Sequence, residues 1–305
     1  MENQALSTAT RAHWRDYLAL CKPRIVALIV FTAIVGMLMS TPAMAPLPLL
    51  VMGSLGIWLA AASAAAINHV VDQKVDSTMA RTRNRPLPQG SVSTQSAILF
   101  AFFLGAMSMF VLTFFVNVLT AILTLVSLIG YGFIYSMYLK RATPQNIVIG
   151  GAAGAAPPVL GWTAITGNLD PHALLLFLII FAWTPPHFWS LAIYRRNDYA
   201  NVDIPMLPVT HGVEFTRQHI LLYTIVLFIV SLLPFITYMS GPTYLFGALV
   251  LGGGFLYYAI RMMWDHGDRL AMRTFSYSIV YLMSLFSFLL IDHYMPLIVR
   301  VLTPA

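Results

Sequence analysis

Charge is scarce in this chain: 9% of its 305 residues are Asp, Glu, Lys or Arg, against about 25% in an ordinary globular domain. A water-soluble fold would be left with a largely uncharged surface, so that class is excluded. Cysteine is almost absent. The lone Cys21 rules out an intramolecular disulfide framework and any cysteine-cluster metal site, and it reads as a bland residue where the first apolar segment meets the interface. Acidic residues number eleven against seventeen Lys and Arg, so each carboxylate stands out. No targeting extension is evident, because the first apolar run follows a polar stretch and lacks a small-residue cleavage pattern.

What is abundant is apolar surface: 59% of residues are hydrophobic and the mean hydropathy is +0.78. Crossing the hydrocarbon takes roughly 20 residues of helix, and nine stretches qualify, at 25–40, 48–71, 95–116, 118–139, 147–166, 173–194, 220–238, 244–263 and 275–291. The third and fourth form one uncharged run, which requires a tight turn near Asn117. The expected fold is all-α, a polytopic bundle of about nine transmembrane helices around one cavity open to the cytoplasmic face. Residues 1–21 form an N-terminal segment, 22–299 a single membrane domain and 300–305 a tail.

Lys and Arg asymmetry sets orientation. With the N-terminus cytoplasmic, the inner side collects Arg11, Arg15, Lys22, Arg24, Lys74, Arg81, Arg83, Arg85, Lys140, Arg141, Arg195, Arg196, Arg217, Arg261, Arg269 and Arg273, leaving only Arg300 outside. The net charge of +6 is thus mainly a topology signal with a bonus from anionic headgroups or substrates, and no sign of nucleic-acid binding. The outer connections are short and almost uncharged. The inner ones at 72–93 and 195–219 are long and crowded with charge, so function belongs on the cytoplasmic face. They follow the second and sixth spans, which suggests two similar halves facing one cavity.

The first of these loops opens on Asn68, Asp72 and Asp76, followed by Arg81, Arg83 and Arg85. Residues four apart on a helix share a face about 6 Å apart along the axis. A row of hard oxygen donors beside arginines points to Mg²⁺ and a phosphate-bearing ligand. The second loop supplies Asp198 and Asp203 beside Arg195 and Arg196; the five-residue spacing turns Asp203 away from Asp198 on a helix. Two acidic clusters across a cavity suit metal ions bridging one diphosphate.

The row at Asn68, Asp72 and Asp76, with the R-T-R-N-R-P-L-P run from Arg81 to Pro88, resembles the UbiA-type intramembrane prenyltransferases. The closer likeness within that superfamily is to its heme-farnesylating members, through Lys22-Pro23-Arg24, the stretch from Tyr138 to Gly151, Thr184-Pro-Pro-His187-Phe-Trp189, and Asp198-Tyr199 leading into Pro205-Met-Leu-Pro208. The resemblance implies farnesyl transfer from farnesyl diphosphate to a vinyl group of heme b, with Mg²⁺ as cofactor, in the bacterial inner membrane with the C-terminus periplasmic. It implies Asn68, Asp72, Asp76 and Asp198 as catalytic and metal-binding residues. Contact with heme-modifying or terminal oxidase assembly proteins would follow from such a product.

Other side chains are divided by chemistry. Arg81, Arg85, Lys140, Arg141 and Arg195 are candidates for the diphosphate, with Arg85, Lys140 and Arg141 ranked first; each has heme propionates or lipid headgroups as alternatives. A farnesyl cation needs an apolar, preferably aromatic wall, and Tyr135 and Phe188 are assigned to it from a set that includes Tyr131, Phe133 and Tyr194. His187, beside a Pro185-Pro186 break expected to bend its helix, and Trp189 are assigned to heme, since imidazole is a natural axial ligand. His69, about 100° from Asn68 on the helix, reads as a packing residue. The small-residue run Gly150-Gly151-Ala-Ala-Gly154 is read as close helix packing rather than a phosphate loop. Two rivals remain: a secondary transporter, disfavoured because its ionisable groups belong near the midplane, and prenylation of an aromatic quinone precursor, which would share the Asp72 and Asp76 row.

Overall fold

The computed structural model describes residues 13–302 apart from Ala80 and His266, with side chains described as far as Pro296. Arg11, most of the expected N-terminal segment, the Arg300 side chain and residues 303–305 lie outside the described residues. Among the described residues all regular structure is helical. In chain order the helices are α1 (Trp14–Leu20), α2 (Pro23–Met39), α3 (Leu47–Val71), α4 (Gln73–Thr78), α5 (Thr94–Phe115), α6 (Val118–Ala142), α7 (Asn146–Thr166, interrupted at Ala156), α8 (Pro171–Tyr194), α9 (Arg196–Ala200), α10 (Leu207–Thr210), α11 (Gly212–Ile236), α12 (Pro242–Met262) and α13 (Asp268–Leu302). Eight of these are long and apolar enough to cross a membrane, and α1 with α2, bent by 53°, makes a ninth. A helix is found at each expected span, but α11 starts well before the expected 220, and α13 runs from Asp268 to Leu302 where 275–291 was expected.

Local chemistry explains the boundaries. The turn required near Asn117 is built by that side chain, whose Oδ1 accepts from the Thr120 amide at 2.8 Å while its Nδ2 donates to the Thr163 carbonyl of α7 at 2.8 Å. Ser93 caps α5 by accepting from Ser96 N–H at 3.1 Å, and Asp170 caps α8 by accepting from His172 N–H at 2.8 Å. Two features depart from the sequence reading. Pro185 and Pro186 lie inside a continuous α8 and do not break it, because side-chain hydroxyls and neighbouring helices can satisfy carbonyls that a proline frees. The end of α6, from Gly130 to Leu139, is wound as a π-helix, a form that clusters at functional sites and changes which side chains share a face.

Polar and small residues hold the bundle where apolar burial alone gives no preference over lipid. Ser63 Oγ donates to the Ala101 carbonyl at 2.8 Å and Ser108 Oγ to the Gly56 carbonyl at 2.7 Å, binding α3 to α5. The other half, α8 with α11, α12 and α13, packs around Leu176, Ile179, Tyr244, Phe255, Tyr281 and Phe286. At the uncharged end Asp292 of α13 accepts from the amides of Gly241 and Tyr244, closing the start of α12. The small-residue stretch of α7 is packing, as expected: a Cβ on Gly150 would strike the Tyr135 ring, and one on Gly151 would meet Thr184 at 3.0 Å. Two contacts between α2 and α7 are tighter still. Gly36 lies against the Pro158 carbonyl and Gly161 against the Ala33 carbonyl.

Because the obstacle at Gly161 is backbone, Gly161→Ala should cost about 1–3 kcal/mol as an overpacking change. Gly154→Ala, with nothing within 4 Å of the new Cβ, should be at least as stable as the parent. Thermal unfolding in detergent compares them; equal midpoints would mean that α2 and α7 are not held at this contact.

Candidate active site

The acidic row spans a junction. Helix α3 ends at Asp72 and α4 starts at Gln73, but the i to i−4 bonding persists across it: Asp72 N–H donates to the Asn68 carbonyl at 3.0 Å and Asp76 N–H to the Asp72 carbonyl at 2.7 Å. The three side chains therefore keep their common face. Asp72 is 3% exposed and Asp76 4%, so both carboxylates have left water and need compensation. Lys140 Nζ, at the end of α6, donates to Asp72 Oδ2 at 2.6 Å, and Arg85 Nη1 to Asp76 Oδ2 at 2.6 Å. Asn68 Nδ2 donates to Asp72 Oδ2 at 2.9 Å and to Ser136 Oγ at 3.2 Å, while its Oδ1 accepts from Lys22 Nζ at 2.5 Å.

Lys22 is within electrostatic reach of Asp72, Asp76, Arg85 and Lys140. Three basic side chains thus surround two carboxylates, and an anionic ligand among them would hold Lys22 in its charged form. Asp72 Oδ1 is enclosed and has no hydrogen-bond partner. Among the described residues no three His, Cys, Asp or Glu side chains converge as a metal cage. One or two carboxylates with an unspent oxygen, open to phosphate oxygens, is the donor set that suits Mg²⁺ rather than an all-protein site. The residues present fit that ion.

The second loop repeats the design in a looser form. Helix α8 ends at Arg195 and the short α9 follows with Asp198, as α3 ends at Asp72 and α4 follows with Asp76. Asp198 is half-buried and accepts from Arg195 Nη1 at 3.3 Å; Arg196 pairs with Asp268 of α13 at 2.7 Å. The two loops meet. Val75 of α4 packs in one cluster with Ile147, Tyr199 and Val202. Burial pushes the Tyr199 phenol up, offset by Arg81 from the first loop and Arg195 from the second, with Asp198 adding to the rise. Arg81 and Arg141 are exposed and unpaired in an ion pair among the described residues. Asp203, in a left-handed conformation at φ 52° and exposed, belongs to the turn and not to the acidic set.

The aromatic candidates separate into three groups. Tyr135 stacks on Tyr131 with centroids 5.4 Å apart, and both phenols lie within electrostatic reach of Asp72. His187 is sandwiched between Trp183 at 4.1 Å and Phe275 at 4.6 Å, with Phe188 edge-on at 5.2 Å and itself partly exposed. Trp189 is 0% exposed and packs edge-on against Tyr223 and His219 of α11, about 200° around α8 from His187.

Three contributors were not singled out as site residues in the sequence. Lys22 was read as a topology charge within a motif; its left-handed backbone, φ 48°, just before Pro23 is what turns it into the row. Ser136 faces Asn68 only because the π-helix brings it there. Asn146, fully buried, donates from Nδ2 to the Lys140 carbonyl at 3.1 Å and fixes the chain end that carries the Lys140 ammonium; its place five residues past Arg141 in a polar turn was the available signal. His69 packs as expected, at 2% exposure, yet neither ring nitrogen has a partner.

The sequence profile of the UbiA prenyltransferase family matches residues 29–288. A protoheme IX farnesyltransferase of Nitrosococcus oceani is 62% identical over 93% of this chain and 95% of its own, and one of Methylococcus capsulatus is likewise 62% identical over the same shares. Among solved structures, a digeranylgeranylglyceryl phosphate synthase superposes with a TM-score of 0.78 at 17% identity, over 92% of this chain and 98% of that one. A UbiA homolog from Archaeoglobus fulgidus bound to DMAPP and Mg²⁺ gives 0.62 at 18%, over 90% and 99%. At those identities the structures speak for the fold.

Lys140→Met leaves Asp72 buried without its cation and should cost about 3–5 kcal/mol. Adding Asp72→Asn should return most of that loss. Unfolding in detergent of the two single variants and the double closes the cycle, and strictly additive losses would show that the pair is not coupled.

Proposed function

This chain belongs to the UbiA prenyltransferase family, and we propose that it transfers the farnesyl group of farnesyl diphosphate to a vinyl group of protoheme IX, releasing diphosphate and forming heme O. It is a multi-pass membrane enzyme. The observation that carries the chemistry is the buried cradle in which Lys22, Arg85 and Lys140 outnumber Asp72 and Asp76. The heme acceptor rests on the relatives that share 62% of their residues with nearly the whole chain.

In the proposed reaction the diphosphate lies at the acidic row, with Asn68, Asp72, Asp76 and, from the facing loop, Asp198 as the residues that would hold Mg²⁺. That ion supplies charge neutralisation on the leaving oxygens. Lys22, Arg85 and Lys140 are already fixed in the same cluster, so they stabilise the developing charge without reorganising; Arg81, Arg141 and Arg195 lie at the mouth and steer the anion in. The C–O bond to the allylic carbon breaks and the electron pair leaves with the diphosphate. Tyr135, stacked on Tyr131, and Phe188 offer π faces to the farnesyl cation, and the enclosing helices keep bulk water from capturing it. The vinyl group attacks, the positive charge moves to the carbon next to the porphyrin, and water adds there with loss of a proton. His187 contacts the porphyrin.

We assign the charged end to the cytoplasmic face of the bacterial inner membrane, with the C-terminus periplasmic, on the asymmetry of Lys and Arg. Heme-modifying and oxidase-assembly proteins are the expected recipients of so insoluble a product.

Purified protein in detergent, given protoheme, farnesyl diphosphate and Mg²⁺, should form a farnesylated heme, and Asp72→Asn should lower the rate at least about 100-fold, the scale of removing one group that stabilises a developing charge. Product detected by mass spectrometry decides it. Diphosphate release only with an aromatic quinone precursor would move the acceptor assignment while leaving the prenyltransferase intact.

A further inference from the structure

Among the described residues His187 is one of two histidines buried inside the bundle, and its hydrogen bonding bears on more than its position. Its Nδ1 lies 2.6 Å from Ser278 Oγ of α13, and the same Oγ lies 2.6 Å from the carbonyl of Phe275. A serine hydroxyl has one proton to give and a carbonyl can only accept. With the Ser278 proton given to the Phe275 carbonyl, the hydroxyl oxygen accepts from His187, and on that reading we assign the imidazole hydrogen to Nδ1, which leaves Nε2 with its lone pair free.

The rest of the surroundings hold this arrangement still. Trp183, one turn before His187 on α8, donates from Nε1 to the Ser278 carbonyl at 2.8 Å, so one residue of α13 receives two bonds from one face of α8. The imidazole is clamped face to face between Trp183 and Phe275. Nε2 makes no hydrogen bond, yet it is not among the fully enclosed unpartnered atoms, which include both nitrogens of His69; His187 keeps 8% of its surface accessible. An imidazole held by an outer partner on one nitrogen, with the other unpartnered and not fully enclosed, is the arrangement that iron-ligating histidines adopt.

We infer that Nε2 of His187 is an axial ligand to the iron of the porphyrin substrate, and that Ser278 is a positioning residue that sets the tautomer. This deepens the proposed heme farnesylation and rests on it. A bond to iron fixes the depth and tilt of the porphyrin, and with them the vinyl group, before any prenyl group arrives. Neither residue contributes to the acidic row, so diphosphate binding is independent of both.

The test uses the full-length protein in detergent, titrated separately with hemin and with metal-free protoporphyrin IX. Wild type should show the Soret and electron paramagnetic resonance signature of histidine-ligated iron. Ser278→Ala should weaken hemin about 10–100-fold, the usual effect of losing an outer partner. His187→Ala should weaken it further and lose the histidine signature, with recovery on adding imidazole. Protoporphyrin IX, which has no iron to ligate, should bind all three proteins alike, and this shows that the cavity is folded. An unchanged hemin spectrum in His187→Ala overturns the inference, as does an equal loss of both porphyrins, which would make His187 a wall of the cavity. If wild type bound neither porphyrin, the heme acceptor itself would be wrong, whereas ordinary farnesyl transfer to heme by His187→Ala with a wild-type spectrum would remove only the iron bond.

Discussion

Two carboxylates out of water at the end of a membrane helix are the constraint around which this protein is built. A buried ion is tolerable only when paired and hydrogen-bonded, and neither Asp72 nor Asp76 finds a cation on its own helix. Compensation comes from three separate segments: Lys22 at the turn before α2, Arg85 from the loop after α4, and Lys140 from the end of α6. Each must arrive with its backbone already aimed. The left-handed Lys22, the π-wound turn leading to Lys140 and the Asn146 bond beneath it are local arrangements that deliver these groups. The cradle is an electrostatic crosslink among α2, α3, α6 and the first loop.

The two acidic loops are alike in plan and unlike in state. After α3 the acids are enclosed and hydrogen-bonded; after α8 the acid is half-buried and its Arg195 partner is a looser 3.3 Å away. Arg81 of the first loop and Tyr199 of the second lie within electrostatic reach of each other. His187 stands apart from both, on α8 against Ser278 of α13.

Much of this was legible in the residues. Nine apolar runs give eight long apolar helices and one bent pair among the described residues, because the bilayer leaves backbone no other choice than the helix, and the spacing of Asn68, Asp72 and Asp76 survives a helix junction because the i to i−4 bonds carry through it. What stayed hidden depended on geometry that composition does not encode. Nothing in Gly130–Leu139 announces a π-helix, and ordinary helical spacing therefore misplaces Ser136. The prolines at 185 and 186 read as a break but are absorbed. Trp189 is two residues from His187 in the chain, and helical geometry carries it to the other side of α8. A left-handed Lys22 is invisible until its φ is measured. Charges and periods are written locally, whereas the partners of a buried charge are chosen by the fold.

Gly36 and Gly161 carry a consequence of another kind. Each faces a carbonyl of the other helix, and a carbonyl cannot be exchanged for something smaller by altering a codon. Along the lipid-facing flanks, where Phe102, Phe114 or Val126 meets acyl chains, a lineage is free to drift among apolar residues. At these two crossings every single step from glycine adds an atom where backbone stands, so each such step carries a packing cost that a swap on the exposed flanks does not.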